Sequence, residues 1–253
     1  MIPKIIHLCW LSGDPYPEKI AKCISTWKKH LPDYEIMLWD TNRFDVNSTL
    51  WTRQAFEAKK YAFVSDYIRF YAVFNYGGIY LDSDVELLKS FNDLLDLPYF
   101  VGREANNEYL EVAAFGAEKG NKWVKSCLDW YDNRPFINED GSLKTIPCPS
   151  ILTSFLKEKF VLKSISSIQE FSSDMQSICI FPNCFFCSHQ LIQHTSRKST
   201  LEYSVTSESY CVHHFANTWI PFDKKSRGLL HRIYAKLFHK DPRYLGREMK
   251  DFN

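Results

Sequence analysis

The chain has 253 residues, and 31 basic and 30 acidic side chains leave a formal net charge of +1. Such an even balance excludes a molecule built as a whole to bind polyanions, and nothing in it indicates nucleic acid. The length suits one large α/β domain with at most a small appendage. No apolar run reaches the roughly 18 residues of a membrane-spanning helix, and residues 1–4 lack a signal-peptide layout, so we expect neither a membrane span nor secretion.

The N-terminal part alternates strands and helices. Residues 4–10 are apolar and predict a strand, Pro17 opens a helix with one apolar face, and residues 34–39 predict a second strand that ends at Asp40. A strand, a helix and a strand at this spacing form a parallel pair with a right-handed crossover. Ligands of such sheets bind at the carboxyl ends of the strands, where Trp10 and Asp40 lie.

A helix, a glycine stop and a short strand follow. Residues 55–74 contain neither proline nor glycine and predict a helix, which the pair at 77–78 ends because glycine tolerates left-handed backbone geometry. Residues 79–81 predict a buried strand that opens into a loop at Asp82 and Asp84. Because alternate strand residues point to the same face, the two aspartates share a face.

Two ionised carboxylates on one buried face are costly, and a divalent cation removes that cost. Mg²⁺ and Mn²⁺ prefer oxygen ligands and often join carboxylates to substrate phosphates. By itself the pattern is weak, since Asp-x-Asp occurs by chance about once in a chain of this length. The preceding helix adds Asp66 and Arg69, which share an otherwise apolar helical face. A structural ion pair that joins this helix to the sheet is the alternative interpretation.

These residues together carry a family resemblance. The run Ser65-Asp66-x-x-Arg69, then Gly77-Gly78-Ile79-Tyr80-Leu81-Asp82-x-Asp84, resembles the signature of the DXD-type sugar transferases. That family includes bacterial capsule and O-antigen glycosyltransferases, the yeast initiating mannosyltransferase and, more distantly, the clostridial toxin glucosyltransferase domain. The resemblance implies a GT-A-type α/β fold with a Rossmann-like, mostly parallel central sheet flanked by helices. It also implies a retaining, metal-dependent hexosyltransferase with Asp66, Arg69, Asp82 and Asp84 as catalytic residues.

The N-terminal strand resembles the opening motif of the same family, in which a tryptophan-bearing loop covers the nucleotide base. The resemblance implies that the donor nucleotide contacts Leu8, Trp10, Tyr80 and Asp82. Trp10 as a core residue is the alternative, and we interpret His7 as a core histidine.

A second informative segment is 210–219, which resembles the family's C-terminal His-His-x-x-x-Ser/Thr-Trp element. The resemblance implies that His214 and Asn217 join Asp82 and Asp84 as metal ligands and that Trp219 contacts the diphosphate. An imidazole ligand favours Mn²⁺ over Mg²⁺. An ordinary strand end is the alternative.

The remaining elements are less distinctive. We predict strands at 85–88, 99–102, 111–116 and 178–181 and helices at 120–131 and 148–160. Eight scattered cysteines are interpreted as reduced core residues, although Cys184-x-x-Cys187 with His189 leaves a structural zinc site open.

The C-terminal tail differs from the predicted transferase domain, which spans 1–222. Residues 224–250 carry nine Lys/Arg against two acids around an apolar stripe, so 223–253 predicts a basic amphipathic segment. Two interpretations of this segment remain: an anchor that binds a membrane surface, and a helix docked on the domain. With the anchor, we expect a cytoplasmic protein, peripheral on the inner face of the cytoplasmic membrane.

The function that we expect is transfer of a hexose or N-acetylhexosamine from a UDP-sugar. The acceptor is a capsular or O-antigen oligosaccharide linked to undecaprenyl diphosphate. A metal-dependent phosphohydrolase is one alternative, and a non-catalytic carbohydrate-binding or membrane-adaptor protein is another.

Overall fold

The computed structural model of the chain describes residues 1–105, 108–195 and 198–216. Its strands, in chain order, are β1 (Ile5–Cys9), β2 (Glu35–Trp39), β3 (Gly78–Leu81), β4 (Val85–Leu87), β5 (Tyr99–Arg103), β6 (Leu110–Ala117), β7 (Val161–Ser164), β8 (Ser177–Ile180), β9 (His189–Thr195), β10 (Lys198–Tyr203) and β11 (Cys211–His213). Its helices are α1 (Glu18–His30), α2 (Leu50–Glu57), α3 (Tyr61–Tyr76), α4 (Lys122–Tyr131), α5 (Cys148–Lys159) and α6 (Asn183–Phe186). Asn217, Trp219 and the predicted basic segment 223–253 lie outside the described residues.

A five-stranded sheet in the order β2-β1-β3-β6-β5 forms the centre of the fold. β1 pairs in parallel with β2 and β3, whereas β6 runs antiparallel to both β3 and β5. Four strands of this sheet therefore point the same way and β6 opposes them. The predicted α/β class with a mostly parallel central sheet flanked by helices is confirmed.

Each face of this sheet carries its own hydrophobic core. On one face Ile6, Leu8, Ile79 and Leu81 pack with apolar residues of α1. On the other, Tyr80 packs with α3, α4 and α5. Because strand side chains alternate between faces, neighbouring residues of β1 and β3 enter different cores. This alternation decides which side chains can reach the site at the strand ends.

The predicted helix over 55–74 is wrong in one respect, because a break at 58–60 divides it into α2 and α3. Lys59 lies in the left-handed region with φ 54°. The Trp51 indole N–H donates to the Phe63 carbonyl at 2.7 Å and fixes the two helices together across the break. Such tertiary contacts override the continuous helical periodicity of the sequence. The break places Lys59 and Lys60 at the cavity described below.

The glycine pair between α3 and β3 meets a geometric demand that other residues cannot meet. Gly77 and Gly78 have φ 68° and 105°. A Cβ on Gly77 would lie 2.8 Å from the Lys119 backbone nitrogen, and one on Gly78 would lie 2.6 Å from the Ile5 carbonyl oxygen. Both contacts are closer than a side chain tolerates, so the predicted glycine stop is confirmed and β3 enters the sheet directly after α3.

β4 and β11 form an antiparallel pair beside the end of β3, with His213 opposite Val85. α1 holds this pair in place, because the Trp27 indole N–H donates to the Val85 carbonyl at 2.7 Å. The pair therefore brings residues distant in sequence next to Asp84.

Over residues 161–197 the sequence pattern is weak, apart from the predicted strand at 178–181. This part of the fold contains β7, which pairs in parallel with β8, and β9, which pairs antiparallel with β10. Within the described ranges, no helix is long and apolar enough to cross a membrane.

Candidate active site

A cavity of about 510 Å³ opens where β1 and β3 end. Its wall runs from the Trp10 loop, past the first half of α3 and the end of β3, to the start of α5. The lining includes the following side chains: Trp10, Asp14, Lys59, Lys60, Ser65, Asp66, Arg69, Tyr80, Asp82, Asp84, Glu104, Glu111, Cys148 and His213. Acidic side chains predominate in this lining, which is unusual for a site that receives a nucleoside diphosphate unless a cation accompanies the ligand.

Asp82, Asp84 and His213 converge on one point of the wall, and their ligand atoms all lie within 4.8 Å of one another. Asp84 is 8% exposed, its Oδ2 accepts the Ala216 backbone N–H at 2.7 Å, and its Oδ1 lies 3.7 Å from His213 Nε2. Asp82 Oδ1 accepts the Tyr80 hydroxyl at 2.7 Å. In the described part of the chain this is the one grouping of three or more His, Cys, Asp or Glu side chains that could hold a metal ion. The Cys184-x-x-Cys187 zinc alternative therefore finds no support there.

The strand ends explain why the two aspartates meet. The Asp82 backbone N–H donates to the Ala113 carbonyl at 2.8 Å, which extends the β3–β6 pairing by one residue. The Val85 N–H then donates to the Asp82 carbonyl at 3.0 Å, so the chain turns tightly between the aspartates. The turn carries both carboxylates into the cavity.

The structure differs from the sequence prediction at the histidine pair. His213, not the predicted ligand His214, faces Asp82 and Asp84. His214 Nε2 contacts Glu86 Oε2 at 2.8 Å instead. β11 pairs with β4 so that Val212 lies opposite Glu86, and His214, two residues further, points to that same face. His213 takes the opposite face, which looks into the cavity.

Glu111 is a site residue that the sequence reasoning missed. It is 1% exposed, its Oε1 accepts the Ala113 backbone N–H at 2.8 Å, and its Oε2 lies 3.3 Å from His213 Nδ1. Burial would favour the neutral acid, but His213 and the Ala113 N–H together lower the pKa of Glu111. The available signal was a lone carboxylate within the apolar run 110–117, because buried charges in such runs are almost always paired.

Asp66 and Arg69 form the floor of the cavity. The Arg69 Nη2 donates to Asp66 Oδ1 at 2.8 Å, and its Nη1 donates to the Val112 carbonyl at 2.9 Å and lies 3.5 Å from Asp82 Oδ2. Its guanidinium carbon also lies 4.9 Å from the centre of the Tyr80 ring. The structural ion pair that joins α3 to the sheet is therefore present, and the same two side chains line the cavity.

The carboxylates beside Arg69 and the imidazole of His213 differ in how their surroundings change their pKa values. Burial raises the pKa of Asp66 to about 6, although Arg69 acts in the opposite direction. Burial likewise raises the pKa of Asp82, again opposed by Arg69. Burial by itself would lower the pKa of His213, but Glu111, Asp84 and Asp82 raise it to about 10. Without a bound cation, the excess negative charge around Asp84 is therefore compensated by a proton on His213.

Of the predicted nucleotide contacts, Trp10 and Tyr80 line the cavity, whereas the Leu8 side chain does not. The Trp10 indole N–H donates to the Asp14 carbonyl at 2.7 Å, and its ring lies edge-on to Tyr16 at 5.0 Å. Leu8 is 2% exposed and packs in the α1-facing core, because it points to the opposite face of β1 from Cys9. Asn217 and Trp219 lie outside the described residues.

Comparison with known proteins bears on the same segment. Residues 17–101 match the family model described as "Glycosyltransferase sugar-binding region containing DXD motif". Over these residues the chain is similar to the DXD-containing region of glycosyltransferases. The match includes Asp66, Arg69, Asp82 and Asp84 and ends before Glu111 and His213, so the predicted family resemblance is confirmed over the N-terminal part of the site.

Individual relatives match only part of this chain. Inositol phosphoceramide mannosyltransferase 3 of Schizosaccharomyces pombe is 33% identical over 127 residues, which is 49% of this chain and 35% of that protein. Subversion of eukaryotic traffic protein A of Legionella pneumophila is 27% identical over 225 residues, which is 69% of this chain and 35% of that protein. The chain thus spans about a third of the length of these curated relatives.

A solved structure, PaToxG glycosyltransferase, aligns with 62% of this chain and 68% of its own at a TM-score of 0.47 and 20% identity.

Proposed function

We propose that the protein is a metal-dependent glycosyltransferase that moves a hexose or N-acetylhexosamine from a nucleoside diphosphate sugar to a hydroxyl acceptor. One observation carries the proposal: Asp82, Asp84 and His213 converge within 4.8 Å in a cavity whose floor is the Asp66–Arg69 pair. The family match over residues 17–101 supports the same reaction class.

The donor set fits a divalent cation. Two carboxylates and one imidazole suit Mn²⁺ or Mg²⁺, and the imidazole favours Mn²⁺. Asp84 and His213 would hold the ion, with Asp82 as a direct or water-mediated ligand. When bound, the cation supplies positive charge that stabilises the departing diphosphate. We propose His213 in the place that the sequence prediction gave to His214, while Asn217 stays a prediction outside the described residues.

The remaining residues bind and orient the donor. Trp10, which lines the cavity, is proposed to stack on the base. The Tyr80 hydroxyl donates to one oxygen of Asp82. The other oxygen lies 3.5 Å from Arg69 Nη1 and is proposed to accept from a sugar or ribose hydroxyl. Arg69 is fixed by Asp66 and the Val112 carbonyl, so its guanidinium has a defined orientation toward the sugar. Trp219 at the diphosphate stays a prediction.

The proposed transfer retains the anomeric configuration, as the family resemblance implies. The bond between the anomeric carbon and the diphosphate oxygen breaks, and the acceptor oxygen bonds to the same face of that carbon. The acceptor proton passes to the departing diphosphate, so no residue of the chain changes its covalent state.

Donor and acceptor identity belong to the same proposal. We propose a UDP-linked hexose donor and a capsular or O-antigen oligosaccharide on undecaprenyl diphosphate, at the inner face of the cytoplasmic membrane. A relative named as an inositol phosphoceramide mannosyltransferase supports a lipid-borne acceptor and a hexose donor, although that name specifies mannose and ceramide. The predicted basic segment 223–253 would place the cavity near a membrane surface.

The experiment measures nucleoside diphosphate release with Mn²⁺ for a panel of UDP- and GDP-linked hexoses and N-acetylhexosamines. Each donor is tested without acceptor, with a polyprenyl diphosphate oligosaccharide and with an inositol-phosphate ceramide. The proposal predicts that one acceptor accelerates release and gains one sugar by mass spectrometry, with a retained anomeric centre by NMR.

Release that no acceptor accelerates would overturn the proposal in favour of a phosphohydrolase. Glycan binding without metal or nucleotide, and without turnover, would favour a binding module. Asp84→Asn serves as the inactive control, and Asp96→Asn, which changes an exposed carboxylate outside the cavity, as the matched active one.

A further inference from the structure

Glu111 is held in one orientation by β6 and by its neighbours. It is 1% exposed, and its Oε1 accepts the backbone N–H of Ala113 at 2.8 Å. The second oxygen, Oε2, is thereby left facing His213 Nδ1 at 3.3 Å. A carboxylate fixed in this way can only accept a hydrogen bond from the imidazole.

The other ring nitrogen of His213 faces the proposed cation. His213 Nε2 lies 3.7 Å from Asp84 Oδ1, on the side where the ligand atoms of Asp82 and Asp84 converge. The Phe215 ring lies 4.0 Å from the imidazole, centre to centre, at an interplanar angle of 31°, and further fixes the ring plane. The imidazole thus bridges a buried carboxylate on one side and the candidate cation position on the other.

We propose that Glu111 is a positioning residue that selects the His213 tautomer able to bind the divalent cation. By accepting the proton on Nδ1, Glu111 leaves the Nε2 lone pair directed at the cation, an arrangement found around many metal-ligating histidines. This inference rests on the proposed function, because it concerns the cation that the proposed transfer requires.

The geometry makes an amide substitution unusually informative. In Glu111→Gln, the amide oxygen must stay on the Ala113 N–H, since the reverse orientation sets two donors against each other. The amide NH₂ then faces His213 Nδ1, which becomes an acceptor. The imidazole proton moves to Nε2 and blocks the cation position, although the side chain has kept its size and shape.

The neighbouring His214 provides a matched control. His214 Nε2 contacts Glu86 Oε2 at 2.8 Å, so β4 and the residue that follows β11 form a second carboxylate–imidazole pair of the same chemistry. The Glu86 side chain is 41% exposed and does not line the cavity. Glu86→Gln therefore removes a carboxylate from an adjacent histidine without touching the proposed cation site.

The experiment measures Mn²⁺ affinity of the full chain by electron paramagnetic resonance, with UDP and with GDP, for wild type, Glu111→Gln and Glu86→Gln. Loss of such an outer ligand partner typically weakens metal binding roughly 10–100-fold, which we expect for Glu111→Gln and not for Glu86→Gln. Long-range ¹H–¹⁵N NMR on the Mg²⁺-loaded protein reports the tautomer, with His213→Asn for assignment. We expect a proton on Nδ1 in wild type and on Nε2 in Glu111→Gln.

Several results separate this inference from the proposed function. If wild type binds Mn²⁺ and folded Glu111→Gln binds it with the same affinity, only the role of Glu111 is overturned. If Glu111→Gln is less stable but leaves the His213 tautomer unchanged, the proposed role is also overturned, because Glu111 is then only a structural residue. Wild type that binds no Mn²⁺ with either nucleotide overturns the cation site itself.

If circular dichroism shows Glu111→Gln unfolded, Glu111→Asp takes its place. The shorter carboxylate cannot reach both Ala113 and His213, and unchanged Mn²⁺ affinity in that variant overturns the inference.

Discussion

Two buried histidines, His7 and His213, show how surroundings set the role of the same side chain. His7 accepts from the Trp39 indole N–H at Nδ1, at 3.1 Å, and contacts the Gly77 carbonyl at 2.7 Å through Nε2. His213 lies between Glu111 and Asp84 at the cavity wall. Burial lowers the pKa of His7 to about 4, whereas the carboxylates around His213 outweigh burial and raise its pKa to about 10.

The comparison of His7 with His213 shows where the polar groups are satisfied within the chain and where a bound ligand can satisfy them. Both ring nitrogens of His7 are satisfied by neutral groups of the chain, so that region needs nothing from outside. His213 lies 3.3 Å from Glu111 and 3.7 Å from Asp84, and a divalent cation can replace the proton that the imidazole carries between these carboxylates. We therefore expect changes near His213 to affect ligand binding and changes near His7 to affect folding.

The largest effect is expected for Asp84→Asn, which removes a proposed ligand of the cation. A bound cation contributes several kcal/mol of charge stabilisation, so transfer should fall by about 10⁴-fold, or about 5 kcal/mol. Initial rates with the accepted donor and acceptor measure it. Asp96→Asn should retain the wild-type rate, and an Asp84→Asn enzyme of wild-type rate would mean that the cluster does not hold the cation.

Arg69→Met tests the positive charge that the Arg69 guanidinium contributes next to Asp66. It leaves Asp66 buried without its partner, and breaking a buried pair from one side should lower the free energy of unfolding by about 4 kcal/mol. Urea denaturation measures the change. The double variant Asp66→Asn/Arg69→Met should recover much of the loss, and a single variant as stable as wild type would show that the pair is not an internal compensation.

Acidification should destabilise the protein through the His7 region. His7 binds a proton below about pH 6.5 in the unfolded chain but only below about pH 4 in the folded one. Between these pH values the unfolded state binds more protons than the folded state. The contribution of neutral His7 to the free energy of unfolding is therefore complete above pH 6.5. As the pH falls to 4, the free energy of unfolding should decrease by roughly 2–3 kcal/mol.

His7→Gln is the control for that loss, because glutamine offers one donor and one acceptor for the Gly77 carbonyl and the Trp39 indole. Its pH dependence should be shallower but not absent, since burial also lowers the pKa of His189 to about 4. Denaturation curves between pH 4 and 7 measure both proteins, and identical slopes would contradict the assignment to His7.

The smallest expected effect is the pH dependence of cation binding. Because the pKa of His213 is raised to about 10, Mn²⁺ must displace its proton at neutral pH. Apparent affinity should therefore increase by up to about tenfold per pH unit, or about 1.4 kcal/mol, below that pKa. Calorimetric titration at pH 6.5, 7.5 and 8.5 tests this, and a pH-independent affinity would exclude His213 as a ligand.

Local signals explain which parts of the site were predictable. Gly77 to Asp84 was predictable because helix stop, strand and carboxylates are neighbours in sequence, and their spacing fixes their geometry. The break between α2 and α3 was not, because it depends on contacts such as that of Trp51 with Phe63. β9 was not predictable either, because the sequence pattern over 161–197 is weak.

The choice between His213 and His214 required the pairing of β11 with β4. A shift of one residue in that register would exchange the faces of the two histidines, and no local pattern encodes the register. Glu111 was within reach of sequence reasoning as a charge inside a buried strand, but its partner lies 102 positions away. Long-range partners of this kind become visible only when the strands are placed.

The central claim is that Asp82, Asp84 and His213 hold a divalent cation against a nucleoside diphosphate. Thermal unfolding of wild type with UDP or GDP, each with Mn²⁺ or with chelator, tests it most directly. A nucleotide at about 100 times its dissociation constant should stabilise the protein by roughly 2.7 kcal/mol, and only with Mn²⁺. Equal stabilisation in the presence of chelator, or none from either nucleotide with Mn²⁺ present, would contradict the account.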